Sequence, residues 1–203
     1  VDSVTAARIF FGIHESAEIR FALRHCTHKA IVVELGCSIG VMAAALKRHK
    51  SIDQYIAVEP STVNVEIARK VFRVINKDVV ICHKAISYGS EEKSFLQNTG
   101  YITNAVMEGQ KDNLAGEWVD NTTLSTILQE QGISGNYTLI TDIEGAEADV
   151  FFKDVAALEK CDTIIAELEE TEIYSMEEQA HQLKKLGFVL MERYGNVFAF
   201  SKL

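Results

Sequence analysis

The chain lacks most of the features that mark linkers, membrane spans and export. Only one proline occurs among its 203 residues, and no Gly/Ser-rich or low-complexity tract interrupts it, so no internal domain boundary is expected. No apolar run reaches the roughly 18 residues of a membrane-spanning helix. Residues 1–10 also lack the basic start and apolar core of a signal peptide. We therefore predict a single domain over residues 1–203 with no membrane partner.

Positive charge and paired cysteines are equally scarce. Acidic residues number 29 against 20 basic ones, for a net charge of −9, whereas a protein that grips a phosphate backbone usually carries a basic face. The longest basic stretch, residues 47–50, is typical of a helix end, where cations suit the dipole. The four cysteines form no Cys-x-x-Cys pair and have no histidine at zinc spacing. These absences disfavour nucleic acid and structural zinc, and reduced thiols favour the cytoplasm.

What the chain does have is an apolar pattern whose period alternates. Short, β-branched apolar runs predict five strands, at residues 30–35, 55–58, 79–82, 137–141 and 163–166, and the first of them is expected to be buried. Apolar residues at helical spacing predict five helices, at residues 40–48, 63–74, 122–131, 146–152 and 176–186. Strands that alternate with helices indicate a mainly parallel sheet with helices on both faces.

The remaining segments complete this α/β prediction. Residues 188–191 and 197–200 predict a closing strand pair around a tight turn, so one of these strands should be antiparallel. Residues 93–96 favour a short strand. Residues 98–116 contain three glycines and little periodicity, which indicates a flap or insertion that either covers a substrate or meets another subunit. Residues 1–29 are expected to form an N-terminal helical extension.

Ligands of such sheets bind at the carboxyl ends of the strands, so the loops there are the candidate sites. The first loop, residues 34–40, has Glu34 at the strand end, where its carboxylate suits an ammonium group. Gly36 and Gly40 let the backbone approach a ligand closely, and the next helix offers free N–H groups. The spacing is not Gly-x-Gly-x-x-Gly, and an ordinary tight turn is the alternative.

The second and third loops add to this pattern. Glu59 ends the second strand, 19 positions after Gly40, where an acidic side chain can accept both ribose hydroxyls. The alternative is a surface carboxylate before a helix whose first turn suits Pro60. Residues 83–87 could lie against a base through a backbone N–H, or could serve the fold alone.

The fourth loop is the most unusual, because three carboxylates follow an almost wholly apolar strand: Asp142, Glu144 and Glu147. Such crowding perturbs proton affinity and suits hydroxyl binding, general-base catalysis or a metal. Glu147 has the alternative of a helix N-terminus, which favours anions. In the fifth loop Glu167 is placed to face the same cleft, while the glutamates at 169 and 170 are typical of a solvated charge run.

These loops, in this order, resemble the FkbM family of methyltransferases. Residues 34–40 are similar to its Asp-x-Gly-Ala-Asn-x-Gly loop, residues 58–61 to its Val-Glu-Pro-Asn segment, and residues 142–147 to its signature Asp-x-Glu-Gly-x-Glu. Residues 84–87, 122–124 and 165–167 also fit. The chain departs from the family at Glu34 (commonly Asp), at Cys37-Ser38 (commonly Ala-Asn) and at Ser125 (often Asp).

The resemblance implies a doubly wound, Rossmann-like, seven-stranded and mainly parallel sheet of the class I methyltransferase type, with an antiparallel last strand. It implies S-adenosylmethionine as cofactor and a hydroxyl of a small molecule or sugar as acceptor. Asp142 is the expected catalytic residue, with Glu144 second, and no metal is assigned. The expected cofactor-binding residues are Glu34, Gly36, Ser38, Gly40, Glu59, Pro60, Ala85 and Asp142.

Three alternatives stay open at this point. A nicotinamide-dependent oxidoreductase shares the sheet and the acidic ribose clamp, although the absent Gly-x-Gly-x-x-Gly counts against it. A non-catalytic module on the same fold would bind cofactor or a partner. A divalent metal at Asp142 is the third alternative, although no histidine is near it in sequence.

Overall fold

The computed structural model describes residues 16–75, 78–97, 106–107 and 116–202. The helices are α1 (Ser16–His25), α2 (Val41–His49), α3 (Thr62–Ile75), α4 (Leu124–Glu130), α5 (Glu147–Lys153) and α6 (Met176–Lys185), with a 3₁₀ turn at Ala157–Lys160. The strands are β1 (Ala30–Leu35), β2 (Ile52–Val58), β3 (Val80–Cys82), β4 (Ala85–Ile86), β5 (Lys93–Gln97), β6 (Val106–Met107), β7 (Gly116–Thr122), β8 (Tyr137–Thr141), β9 (Cys161–Glu167), β10 (Val189–Tyr194) and β11 (Val197–Ser201).

The main sheet has seven strands in the order β10-β11-β9-β8-β1-β2-β3. Strands β3, β2, β1, β8 and β9 pair in parallel, whereas β11 is antiparallel to both β9 and β10. The predicted seven-stranded, mainly parallel sheet with an antiparallel last strand is confirmed. The chain winds outward from β1 to β3 and later resumes at β8 on the other side of β1, so the switch point of the sheet lies between β1 and β8.

Both faces of the sheet are covered by helices. Along β1 and β2 successive side chains point to opposite faces, so Val33 and Val58 join one buried cluster while Val32 and Ala57 join the other. The first cluster includes residues of α4, α5 and α6, and the second includes residues of α1, α2 and α3. This arrangement explains why β1 is apolar at nearly every position: a central strand of such a sheet has no face in contact with water.

A second, four-stranded sheet in the order β4-β7-β5-β6 follows β3, and only β5 of this sheet was predicted from the sequence. The stretch Gly116–Thr122 is strand β7, and the helix predicted from residue 122 begins only at Leu124. Thr123 caps that helix, since its side chain accepts a hydrogen bond from the backbone N–H of Thr126. The threonines that indicated a polar helix start therefore serve a strand end and a cap.

Two of the predicted segments fall largely outside the described residues. Of the predicted flap at residues 98–116, only the short strand β6 and the first residue of β7 are described. Of the predicted extension at residues 1–29, α1 is helical, and residues 1–15 lie outside the description. The division of the chain into one domain with an insertion stays a prediction. None of the helices in the described ranges is long and apolar enough to cross a membrane.

Candidate active site

The first loop, between β1 and α2, is packed tightly against the fourth loop. The backbone N–H groups of Gly36 and Cys37 both donate to the carbonyl of Val58, at 2.9 and 3.0 Å, and the N–H of Asp142 donates to the carbonyl of Leu35 at 3.0 Å. Gly36 has a φ of +81°, and a Cβ placed on it would lie 1.8 Å from the carbonyl oxygen of Asp142. Glycine is therefore required at this position by the neighbouring loop.

Gly40 is required for a different packing reason. It precedes α2 with a φ of +84°, and an added Cβ would lie 2.6 Å from Cε1 of Phe72 on α3. Both glycines were predicted to let a ligand approach the backbone closely, and that role stays a prediction. In the structure each glycine lets protein segments approach each other.

Glu34 lies at the base of this loop and is buried, with only 3% of its surface exposed. Its carboxylate accepts a hydrogen bond of 2.9 Å from the hydroxyl of Tyr55 on β2. Burial, with the Glu34 charge second, holds the pKa of Tyr55 well above its usual range, so the phenol stays a donor. Tyr55 is not among the predicted site residues, and the signal for it was an aromatic side chain with a polar hydroxyl, one strand away from a buried carboxylate.

Glu59 joins the first two loops. One carboxylate oxygen accepts the N–H of Ser38 at 2.8 Å, and the other accepts the N–H of Ser61 at 2.9 Å and the amide of Asn64 at 3.2 Å. Burial raises the pKa of Glu59 from 4.5 to about 7 even though these hydrogen bonds lower it. Glu59 is 5% exposed, so the alternative of a surface carboxylate is wrong.

The third loop lies beside the second. Nε2 of His83 is 2.9 Å from the carbonyl oxygen of Pro60, which fixes a half-exposed proline of the second loop. Lys84 forms an ion pair of 2.8 Å with Glu130 of α4. Ala85 is fully buried in β4, so any contact with a ligand there would have to come from its backbone.

In the fourth loop the three carboxylates have separate environments. Asp142 is half-buried directly after β8, and Glu144 is exposed with a φ of +56°. Glu147 is fully buried at the first position of α5. It accepts the backbone N–H of Ile143 and, at 2.8 Å, that of Gly145, and burial raises its pKa to about 7. Glu147 therefore shapes the loop that carries the other two.

Glu144 forms one carboxylate cluster with two residues of the fifth loop, Glu167 and Glu169. Although Glu144 is largely exposed, partial loss of its hydration raises the pKa of this carboxyl above its ordinary value, and the charges of Glu169 and Glu167 raise it further. The amide of Asn196, in the β10–β11 turn, donates to Glu167 at 2.8 Å and to Glu169 at 3.0 Å. Glu167 therefore lies near the fourth loop, whereas Glu169, which was predicted to belong to a solvated charge run, is half-buried and hydrogen-bonded.

At position 125, where the family often has Asp, this chain has Ser125, and a carboxylate from another part of the chain lies beside it. The N–H of Ser125 donates to the buried carboxylate of Asp154 at 2.9 Å, and its hydroxyl donates to the other oxygen. Tyr88 donates to the same carboxylate at 2.9 Å. A carboxylate thus occupies the start of α4, although it comes from a residue 29 positions later.

Two further features bear on where ligands bind. A cleft of about 470 Å³ opens at the opposite end of the sheet, between α3 and the starts of β2 and β3, with charged residues Asp53, Arg69, Arg73 and Asp78 among its lining. Two of its lining residues, Tyr55 and Phe72, pack against Glu34 and Gly40 of the first loop, but we do not assign the cleft to the cofactor because none of the motif residues lines it. Within the described ranges, no group of three or more metal-binding side chains is arranged to hold a metal ion.

The residues of the first loop fit a small polar ligand. The buried hydroxyl of Ser38 has no hydrogen-bond partner among the described residues, and its backbone has a φ of +48°. A buried hydroxyl without a partner is unfavourable unless a ligand or water satisfies it. This orphaned group lies in the loop that the sequence assigns to the cofactor.

Comparison with known proteins agrees with this geometry. The sequence profile of the methyltransferase FkbM domain matches residues 34–198. No curated protein matches the chain. A Streptococcus pneumoniae protein proposed to be a tRNA (m1A22) methyltransferase, solved with S-adenosyl-L-methionine, superposes with a TM-score of 0.56 at 12% identity, over 92% of this chain and 72% of that one.

Two other solved structures share the fold. One is a Pyrococcus horikoshii protein proposed to be an RNA methyltransferase, with a TM-score of 0.55 at 11% identity over 95% of this chain and 83% of that one. The other is precorrin-6y C5,15-methyltransferase from Geobacter metallireducens GS-15, with a TM-score of 0.54 at 8% identity over 93% and 88%. At such identities the likeness establishes a fold and no substrate. Because the FkbM profile covers most of the chain and its motif residues meet at the switch point of this sheet, the chain belongs to the FkbM family of S-adenosylmethionine-dependent methyltransferases.

Proposed function

We propose that this methyltransferase transfers a methyl group to a hydroxyl of a small molecule or sugar. The observation that carries the proposal is the position of Asp142. Its N–H and carbonyl pack against Leu35 and Gly36 of the first loop, so a carboxylate-bearing residue borders the loop assigned to the methionine part of the cofactor. A carboxylate at this place suits an acceptor that must be oriented and must lose a proton.

The cofactor is assigned to the first three loops and to Asp142 of the fourth loop. The Glu34 carboxylate is suited to the ammonium group, because a buried carboxylate gains from a nearby positive charge. The orphaned Ser38 hydroxyl supports a ligand in the same loop. We assign the methionine part to Glu34, Gly36, Ser38, Gly40 and Asp142, the ribose to Glu59 and Pro60, and the adenine to the backbone at Ala85.

Catalysis then rests on alignment and on one proton transfer. When bound, S-adenosylmethionine would supply a methyl group on a positively charged sulfur, and the sulfur would leave as a neutral thioether with the bonding electron pair. Asp142 would orient the acceptor hydroxyl. Its carboxylate would accept the hydroxyl proton as the oxygen is methylated and would later release it to water. Glu144 is the second candidate for the proton acceptor.

The charge of the site favours a neutral acceptor over a polyanion. Glu144, Glu167 and Glu169 are close enough that the charges of the last two raise the pKa of the first, and the whole chain carries −9. A nucleic-acid phosphate near this cluster would be repelled. The similar structures proposed to act on RNA share the fold with this chain, but their substrates do not transfer to it.

We also propose that the protein is cytoplasmic, because its four cysteines are free and free thiols are typical of a reducing compartment.

The test is a transfer assay with labelled S-adenosylmethionine. We would compare three acceptor sets, namely sugars and other hydroxylated small molecules, primary amines, and bulk tRNA, and measure S-adenosylhomocysteine release against a reaction without acceptor. The proposal expects product only with the hydroxylated set.

Product with tRNA alone or amines alone would refute the acceptor class. Cofactor binding without turnover on any set would favour the non-catalytic module. If calorimetry shows NAD binding and no S-adenosylmethionine binding, the cofactor assignment itself fails.

A further inference from the structure

Glu117, on strand β7 of the small sheet, reaches the first residue of α3. Its Oε1 accepts the backbone N–H of Thr62 at 2.9 Å, and its Oε2 accepts the Thr62 hydroxyl. The two residues are 55 positions apart. Thr62 N–H is one of the backbone donors that a helix leaves unsatisfied at its start. A carboxylate there also interacts favourably with the helix dipole. Glu117, which belongs to the small sheet, therefore caps α3, a helix that packs on the seven-stranded sheet.

The start of α3 is also what holds Glu59. Glu59 lies three positions before Thr62, and its Oε1 accepts the N–H of Ser61 and the side-chain amide of Asn64. Asn64 lies within the first turn of α3. Any displacement of that turn therefore moves two of the donors that orient the Glu59 carboxylate. Glu117 is also close enough to Glu59 for its charge to contribute to the raised pKa of Glu59.

Strand β7 is tied to the third loop as well. Its last residues, Asn121 and Thr122, pair in parallel with Ala85 and Ile86 of β4, and Thr122 accepts the N–H of Ser87 at 3.1 Å. At its other end, Glu117 pairs with Leu96 of β5. One strand thus contacts both the helix start that follows the ribose loop and the loop assigned to the adenine.

We propose that Glu117 is a positioning residue for cofactor binding: by holding Thr62 it keeps the start of α3, and with it Glu59, in the geometry that binds the ribose of S-adenosylmethionine. The inference rests on the assignment of Glu59 to the ribose. It adds that the small sheet, which lies outside the seven-stranded sheet, helps to set cofactor affinity.

Calorimetric titration with S-adenosylmethionine tests this with a matched set of variants. Glu117→Ala removes both acceptors, and the Kd should rise about tenfold, or about 1.4 kcal/mol. Glu117→Gln keeps an oxygen for the Thr62 N–H and offers an amide donor to the Thr62 hydroxyl, so the Kd should return to within about threefold of wild type. The control is Asp120→Ala, an exposed carboxylate on the same strand that pairs with Lys93 at 3.0 Å, which should leave the Kd unchanged.

Thr62→Val provides an independent arm, because it removes the hydroxyl and keeps the backbone N–H at an exposed position. It should weaken binding less than Glu117→Ala. The double variant should lose less than the sum of the two single losses, since the hydrogen bond from the Thr62 hydroxyl to Glu117 is already absent in either single variant. Thermal unfolding of each variant shows that binding was measured on folded protein.

The outcomes separate this inference from the proposed function. If Glu59→Ala abolishes binding while Glu117→Ala binds like wild type, Glu117 has no positioning role and the ribose assignment stands. A lowered melting temperature with an unchanged Kd overturns the inference too, because it shows a cap that serves stability alone. Glu117→Gln that binds as weakly as Glu117→Ala also overturns it. Wild-type protein that does not bind S-adenosylmethionine overturns the cofactor assignment and this inference together.

Discussion

The packing of the first loop against the fourth makes Gly36→Ala a severe substitution. Gly36 has a φ of +81°, and the added Cβ would lie 1.8 Å from the Asp142 carbonyl oxygen, where ordinary contacts begin at 3.4 Å. The left-handed backbone alone costs an alanine about 1 kcal/mol. Relief of the overlap requires the backbone of the fourth loop to move, and forced repacking of this kind costs about 1–3 kcal/mol or more. We expect a total loss of about 3 kcal/mol in the free energy of unfolding.

Gly187→Ala is the matched control, because Gly187 has a φ of +89° and no atom within 4 Å of an added Cβ. It should show the backbone term alone, about 1 kcal/mol. With a urea m-value of about 2 kcal/mol/M, the two variants should differ by about 1 M in unfolding midpoint. Circular dichroism during urea titration measures this directly. Equal midpoints for the two alanine variants would refute the packing argument, and calorimetry should also show loss of S-adenosylmethionine binding in Gly36→Ala alone.

Three further outcomes are expected. Because the pKa of Glu59 is raised to about 7, protonation below that pH removes the acceptor of the ribose hydroxyls. The Kd for S-adenosylmethionine should therefore rise as the pH is lowered from about 8 to about 6. A Kd of the wild-type protein that does not change with pH would contradict the ribose role. Asp142→Asn should keep cofactor affinity within about threefold and lose at least about a hundredfold in turnover on the acceptor found by the transfer assay, whereas Asp149→Asn, on the outer part of α5, should turn over normally. Burial also raises the pKa of Glu147 from 4.5 to about 7, so between these values the folded state retains a proton that the unfolded chain loses. The free energy of unfolding measured in urea should therefore fall as the pH rises from about 5 to about 7. The Glu147→Gln variant should show a smaller fall, and an unchanged fall would contradict the assignment.

Much of the fold was predictable because it depends on local pattern. Strands β1, β8 and β9 are buried on both faces in a parallel sheet. Such strands are nearly continuous apolar runs without polar residues at alternate positions, which makes them easy to recognise in a sequence. The turn at residues 194–196 is too short for a crossover, so antiparallel pairing of β10 and β11 followed from chain length alone. The motif residues Gly36, Glu59 and Asp142 were identified because each directly follows a strand or lies in the loop after it.

The small sheet was missed for an equally physical reason. Strand β7 has the sequence Gly-Glu-Trp-Val-Asp-Asn-Thr, with only Val119 and Thr122 buried, and a half-polar segment of this kind has no strong period. Strand β4 is two residues long, which is too short for any pattern. Both strands exist because β7 pairs with β4 and with β5, and pairing partners distant in sequence are not visible in a local window.

The roles of the carboxylates show the same division within the site. Sequence alone placed Glu34, Glu59, Asp142, Glu144 and Glu147 at the ends of strands of one sheet or in the loops that follow, because the carboxyl ends of parallel strands share an edge. It could not tell which of them is buried, since burial depends on what packs above each loop. In the structure Glu147 is enclosed by the loop amides that donate to it, whereas Glu144, three residues earlier in the chain, is exposed.

By itself, then, the sequence determined the class of fold, the family and the edge of the sheet where the chemistry lies, because all three follow from residue types at short spacing. Only the tertiary structure decided which distant residues meet there. Tyr55 beside Glu34, Asp154 at the start of α4 and Glu117 at the start of α3 are contacts across 21, 29 and 55 residues. Their partners are set by the order of the strands and the packing of the helices, which the free energy of the whole chain selects and no local segment encodes.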